Sequence, residues 1–150
     1  MALTTYKGVA SHVRSSSKVL VDAVAKTASF AGAERVVDRM NEVTVMVTAA
    51  SVTGTLPTLV VYLQKLGPDG STWIDIAATE TIISAESRVL EFISSKHANV
   101  DYALTTAALS PGMIRDASLG GKVRLYYLIG GTNPSFTISS SWNFFARQTQ

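Results

Sequence analysis

The segment EVTVMVTA, residues 42–49, decides how the rest of the chain is read. Val43, Val45 and Val47 fall on one side of an extended backbone, and Thr44, Met46 and Thr48 on the other. Side chains of a strand point alternately to opposite faces, so this alternation predicts a strand with one buried and one open face. Downstream, TLVVYLQKL (58–66) and STWIDIA (71–77) flank GPDG, in which Asp69 and Gly70 tolerate the left-handed backbone of a tight turn. The two runs are expected to pair as an antiparallel hairpin.

Working outward, TETIIS (79–84) and RVLEFIS (88–94) read as further strands, and NVDYALTT (99–106) as a candidate. TTAALSPGMIRDA leaves room for one helical turn within 107–121. KVRLYYLI (122–129) and SFTISSSWNFF (135–145) read as a closing hairpin about GGTNP. On the other side, KVLVDAV (18–24) and SFAGAERVVD (29–38) are strand candidates. AERVVDRMNEV (33–43) also sets Val36, Val37 and Met40 near helical spacing, so a short helix is the alternative there. Turn signals recurring every eight to twelve residues predict an all-β fold, an antiparallel, jelly-roll-like β-sandwich of about eight or nine strands. The polar, serine-rich residues 1–17 read as an extended N-terminal arm, and 18–150 as a single sandwich domain.

One pattern occurs twice. Gly54-Thr55-Leu56-Pro57-Thr58-Leu59 and Gly131-Thr132-Asn133-Pro134-Ser135-Phe136 share G-T-x-P-[ST]-apolar at a separation of 77 residues. Glycine permits a bend and proline fixes the direction of the strand that follows. Two similar hairpin loops within one sandwich account for this better than a ligand site, and a repeat array would need more copies.

Composition narrows the function. The 150 residues are 47% hydrophobic but only 16% charged, with Ser, Thr and Ala in place of the missing charge. Such a surface resists association poorly, which favours lasting contact with a partner or with copies of itself. The net charge of +2 is scattered and forms no track for phosphates, so nucleic acid is not an expected partner. A basic bias does sit at the start, where Lys7, Arg14, Lys18 and Lys26 meet only Asp22. The absence of cysteine excludes disulfides, thiolate zinc sites and cysteine nucleophiles. No apolar run approaches the roughly 18 residues of a membrane helix, and the N-terminus lacks a signal-peptide core, so a protein used without export or membrane contact is expected.

The chemistry-bearing residues do not assemble into a catalytic pattern. His12 and His97 are the only histidines and lie far apart in polar segments, with no His pair at metal-binding spacing and no G-x-S-x-G elbow. Glu80, Glu86 and Glu91 have nothing beside them to raise a carboxyl pKa for general-acid work. Asp69 reads as a turn former and Asp75 as a strand-end residue. The turn with Trp73 partly fits the Asp-box pattern of sialidase-like propellers, but the box aspartate would fall at Pro68. No cofactor or metal is expected, and no enzymatic activity. Among the aromatics Tyr126 and Tyr127 must face opposite sides, as must Phe144 and Phe145, so one of each pair is available to an interface. The residues expected at an interface are Lys7, Arg14, Lys18, Tyr62, Trp73, Tyr126 and Trp142.

The run VTVMVTAASVTGTLPTLVVYLQKLGPDGSTWIDI (43–76), followed by GGTNPSFTI (130–138), resembles small structural proteins of tailed bacteriophages, of the capsid decoration (cement) type. The resemblance implies a jelly-roll-like body that clusters as a homotrimer and binds the major capsid protein. It also implies a place on the capsid surface of the virion, reached from the host cytoplasm during assembly. Two other functions are compatible with the residues. One is a tail tube or tail completion subunit, which would form rings or polymers. The other is a carbohydrate-binding sandwich module using an exposed aromatic such as Trp73 or Tyr62.

Overall fold

The computed structural model describes residues 13–37, 40–94, 101, 104 and 109–147. Among the described residues seven strands pair antiparallel: β1 (Val13–Lys26), β2 (Phe30–Ala31), β3 (Arg35–Val37), β4 (Glu42–Leu66), β5 (Trp73–Ala78), β6 (Glu86–Ile93) and β7 (Gly121–Arg147). No helix occurs among the described residues, and 35–37 are strand, which answers the helical alternative there.

β4 and β7 are 25 and 27 residues long and pair with each other almost throughout, from Glu42↔Phe145 to Lys65↔Val123. They cannot be straight. Ser140 lies 13 residues beyond Tyr127, which in a straight strand would be about 43 Å. Yet their hydroxyls meet at 2.5 Å in the interior. Both strands therefore fold over, and each contributes one half to each of two layers. In the first layer, β1 and β6 flank the second half of β7 and the first half of β4. In the second, β2 and β3 flank the first half of β7, and β5 flanks the second half of β4. The result is an antiparallel β-sandwich whose layers share two backbones.

The fold-over lies at the two G-T-x-P copies, which face each other across the ladder with Thr53↔Ser135, Thr55↔Thr132 and Thr58↔Gly130 as its rungs. Gly54 and Gly131 take φ of 115° and 112°, and Leu56 and Asn133 take 50° and 49°. The two copies thus have the same backbone, related by an approximate two-fold axis. A Cβ on Gly54 would stand 2.8 Å from the Pro134 Cα, and one on Gly131 2.9 Å from the Pro57 Cα. Only glycine allows both the conformation and that approach.

This corrects the expected closing hairpin. Residues 122–129 and 135–145 are halves of one strand, and so are 42–49 and 58–66, because opposed bends carry the pairing through a sequence that normally ends it. Among the described residues the merging of these halves gives seven strands, where eight or nine were expected over the whole chain. Residues 79–84 form a single bridge, Leu59↔Ile82, and not a strand. The Thr79 N–H still donates to the Val61 carbonyl at 3.0 Å, but the Val61 N–H donates to the Thr79 hydroxyl at 3.1 Å instead of a strand carbonyl, and two residues before Leu59 stands Pro57, which has no N–H. The candidate strand 99–106 lies outside the described residues apart from 101 and 104. β1 begins at Val13, inside the stretch expected to be an arm, and residues 1–12 lie outside the description.

The core follows the alternation. Val43, Val45 and Val47 from one layer meet Leu59, Val61, Leu63 and Ile76 from the other, together with Ile138, Trp142 and Phe144. Each such side chain, fully buried, contributes about 1.5–3 kcal/mol. Tyr127 and Phe144 point inward while Tyr126 and Phe145 are half-buried, as the strand period requires. Every residue of β5 is buried, since the segment 112–115 bonds along its outer edge through Ala78 N–H to Met113 O and Arg115 N–H to Ile76 O.

Candidate functional site

Three neighbouring strands of the second layer place Asp75, Gln64 and Arg124 side by side, since Gln64 is in register with both others. Their side chains lie on the outer face, away from the main core. The Gln64 amide donates to one Asp75 oxygen at 2.8 Å, and its carbonyl accepts from Arg124 Nε at 2.9 Å. The second Asp75 oxygen accepts the Leu109 N–H at 3.3 Å. Gln64 and Asp75 are fully buried. A carboxylate accepts only, so it fixes which end of the Gln64 amide faces it and leaves the carbonyl for arginine.

Aromatic rings surround this row. The Arg124 guanidinium lies 4.3 Å from the Trp73 ring centre and 5.8 Å from that of Tyr126. Tyr62 stands in register with Tyr126 and packs with Val60, Ala78 and Leu109 into a small apolar cluster on the same face. Burial, and then the negative charge of Asp75, raises the Tyr62 hydroxyl's pKa above its ordinary value, so it stays protonated. Burial lowers that of Arg124, opposed by the charges of Glu34, Tyr126 and Asp75. Arginine starts high enough to remain a cation.

Of the residues expected at an interface, Tyr62, Trp73 and Tyr126 are thus brought together, with Tyr62 and Trp73 largely covered by the chain itself. Trp142 is 1% exposed and packs edge-on against Phe144 at 4.9 Å, so it fills the core and leaves almost no surface for a partner. Lys18 is exposed on β1, and Arg14 pairs through its backbone with Ala146. Lys7 lies outside the described residues. Sequence reasoning missed Arg124 and Gln64 and took Asp75 for a strand end. A period-two reading of β5 and β7 would have put Trp73 and Asp75, and Arg124 and Tyr126, on common faces, but not one beside the other.

Other polar groups have structural occupations. The Asp69 carboxylate accepts from the Ser71 and Thr72 backbone N–H groups and from both hydroxyls, with the Thr72 hydroxyl at 2.6 Å. These bonds, the Thr72 pair foremost, hold its pKa far below the carboxylate range, and it serves as the keystone of the GPDG turn. Glu86 pairs with Arg88 at 3.1 Å. The Lys65 ammonium lies 3.4 Å from the Ser118 hydroxyl but also donates to the Ser118 carbonyl at 3.2 Å. His12 and His97 fall outside the description, and among the described residues no three His, Cys, Asp or Glu side chains gather to hold a metal ion.

On the opposite, outer face of the first layer the Thr48 and Ser87 hydroxyls bond at 2.9 Å, and no buried row like that of Asp75, Gln64 and Arg124 occurs among the described residues. One row of the ladder runs Val19, Ser141, Met46 and Val89, and Val19, Met46 and Val89 are 62%, 49% and 62% exposed. Ile93, further along β6, is 69% exposed.

The sequence matches no protein-family model and no curated protein. Among solved structures the chain is similar to one in the structure of infectious bursal disease virus, Gx strain. The TM-score is 0.50, at 13% sequence identity over 92% of this chain. The chain spans 34% of the length of that viral chain. At this identity the likeness is one of fold alone.

Proposed function

We propose that the chain is a non-enzymatic structural subunit of a virion that binds and stabilises a capsid shell, as a decoration protein does. The observation behind this reading is the likeness of nearly the whole domain to part of a chain from a virus structure. The exposed row Val19, Met46 and Val89 supports it, because uncharged, partly apolar sheet faces are what assembly covers. Modest contacts repeated over many copies sum to firm attachment, so no single deep pocket is required. In this reading the protein acts as a trimer on the major capsid protein. The basic N-terminal segment, with Lys7 and Arg14, lies across an acidic neighbour, and Lys18 extends that contact along β1.

The test is native mass by light scattering, followed by co-sedimentation with purified shells. A trimer of the 16.0 kDa chain that pellets with shells supports the reading. Hexamers or growing polymers favour a tail tube, and a monomer that ignores shells overturns both. Deleting residues 1–12, which stops short of β1, is expected to weaken shell binding while leaving the fold intact.

A further inference from the structure

The Arg124 guanidinium is held by groups that are themselves buried. Gln64 and Asp75 are both 0% exposed, and an apolar pair would fill their places without the cost of removing polar groups from water. Their joint effect is orientation. Asp75 prevents the Gln64 amide from turning over, so its carbonyl faces Arg124 Nε, and the guanidinium lies over the Trp73 ring, 4.3 Å from its centre. A surface arginine ordinarily samples many rotamers, whereas this one is set before any partner arrives.

Nε uses one of the five donors of arginine. Among the described residues no acceptor is bonded to the two terminal nitrogens of Arg124, which are not sealed in the interior. Two parallel N–H groups at the end of a fixed plane match a carboxylate in bidentate fashion. Glu34 is near enough for its charge to act on Arg124 but is ion-paired with Lys122, at 3.8 Å. With Glu34 on one side and Asp75 on the other, a single guanidinium suits a monoanion better than a phosphate dianion.

We propose that Arg124, seated over Trp73 and braced by Gln64 and Asp75, is a socket for the carboxylate of a glutamate or aspartate side chain on a partner protein. Glu34 acts as its competitor in the free chain. The socket rests on the assembly reading only in taking the partner to be a protein.

The experiment titrates the full chain with acetyl-tetraglutamate amide at constant ionic strength and follows Trp73 fluorescence against the constant, buried Trp142. Acetyl-tetraglutamine amide and inorganic phosphate run in parallel. A saturable change with tetraglutamate alone is expected, weakened about tenfold in Arg124→Lys, which keeps the charge but loses the fork. Glu34→Gln, which does not disturb the core, is expected to tighten binding about threefold. The proposal is overturned by no saturable response, by equal binding in Arg124→Lys, by no gain in Glu34→Gln, or by phosphate binding more tightly than the peptide. Peptide binding without shell co-sedimentation would keep the socket and remove the shell reading; the reverse would keep the shell reading and remove the socket.

Discussion

Gly54 and Gly131, 77 positions apart in the sequence, each rest against the proline that follows the other: Gly54 on Pro134, Gly131 on Pro57. A Cβ on either would come within 2.7 Å of a carbonyl oxygen, that of Asn133 or that of Leu56. The contact is mutual, so the two bends hold each other in place.

Replacing either glycine with alanine adds a backbone clash to an unfavourable φ. Gly54→Ala and Gly131→Ala are each expected to cost more than about 2 kcal/mol in denaturant unfolding. The double variant is expected to cost less than the sum, since the first substitution already parts the strands the second would disturb. Gly120→Ala, with nothing within 4 Å and no left-handed backbone, is the control and is expected to be nearly neutral.

Leu56 occupies the left-handed position that Asn133 occupies in the second copy, and it is 83% exposed. A branched apolar side chain is poorly suited to that backbone, while asparagine is tolerated there. Leu56→Asn is expected to raise stability by about 0.5–1 kcal/mol, read as an upward shift in Tm. An unchanged or lower Tm would mean that Leu56 makes up for its strain through contacts elsewhere.

Removing Asp75 alone leaves the Gln64 amide and the Leu109 N–H without an acceptor in a buried place. Asp75→Ala is expected to cost about 2–4 kcal/mol. The double variant Asp75→Leu with Gln64→Leu is expected to recover part of that loss, because the fully buried Gln64 amide is then gone and only the part-buried Leu109 N–H and Arg124 Nε lose their acceptors. Equal losses in both would show that packing, and not hydrogen bonding, governs this face.

The Asp69 turn has a pH signature. Its folded pKa lies below the unfolded value, so its stabilisation is complete above the unfolded value of about 3.9 and is lost as the pH falls toward the folded one. Asp69→Asn is therefore expected to melt below the wild type at neutral pH, with the gap in Tm narrowing below about pH 4. A gap that does not change with pH would assign the stabilisation to shape alone.

What could be read from the sequence was whatever depends on neighbours along the chain. The alternation at 42–49 and the hairpin of 58–66 with 71–77 needed only local periodicity and turn chemistry, and both are present, down to the pairing of Leu66 with Trp73. The bends were misread because Gly and Pro in one strand normally end it. What lets the pairing continue is a second such bend directly opposite, at a position fixed by register. Arg124 escaped notice for the same reason. It sits beside Gln64, and within reach of Trp73, only once β4, β5 and β7 are aligned. Trp142 and Trp73 look equivalent as residue types, yet one fills the core and the other backs the guanidinium, a choice made by the parity of each strand.

The folding of β4 and β7 from one layer into the other also sets how the molecule bears force. In a sandwich of two separate sheets, a shearing load crosses between them through side-chain contacts alone and can be relieved by slippage. Here two peptide backbones run from sheet to sheet at one crease, so the same load is borne by covalent chain. The layers cannot slide past each other without opening the bends at Gly54 and Gly131, and the stiffness of the whole body is concentrated in a few residues at its edge.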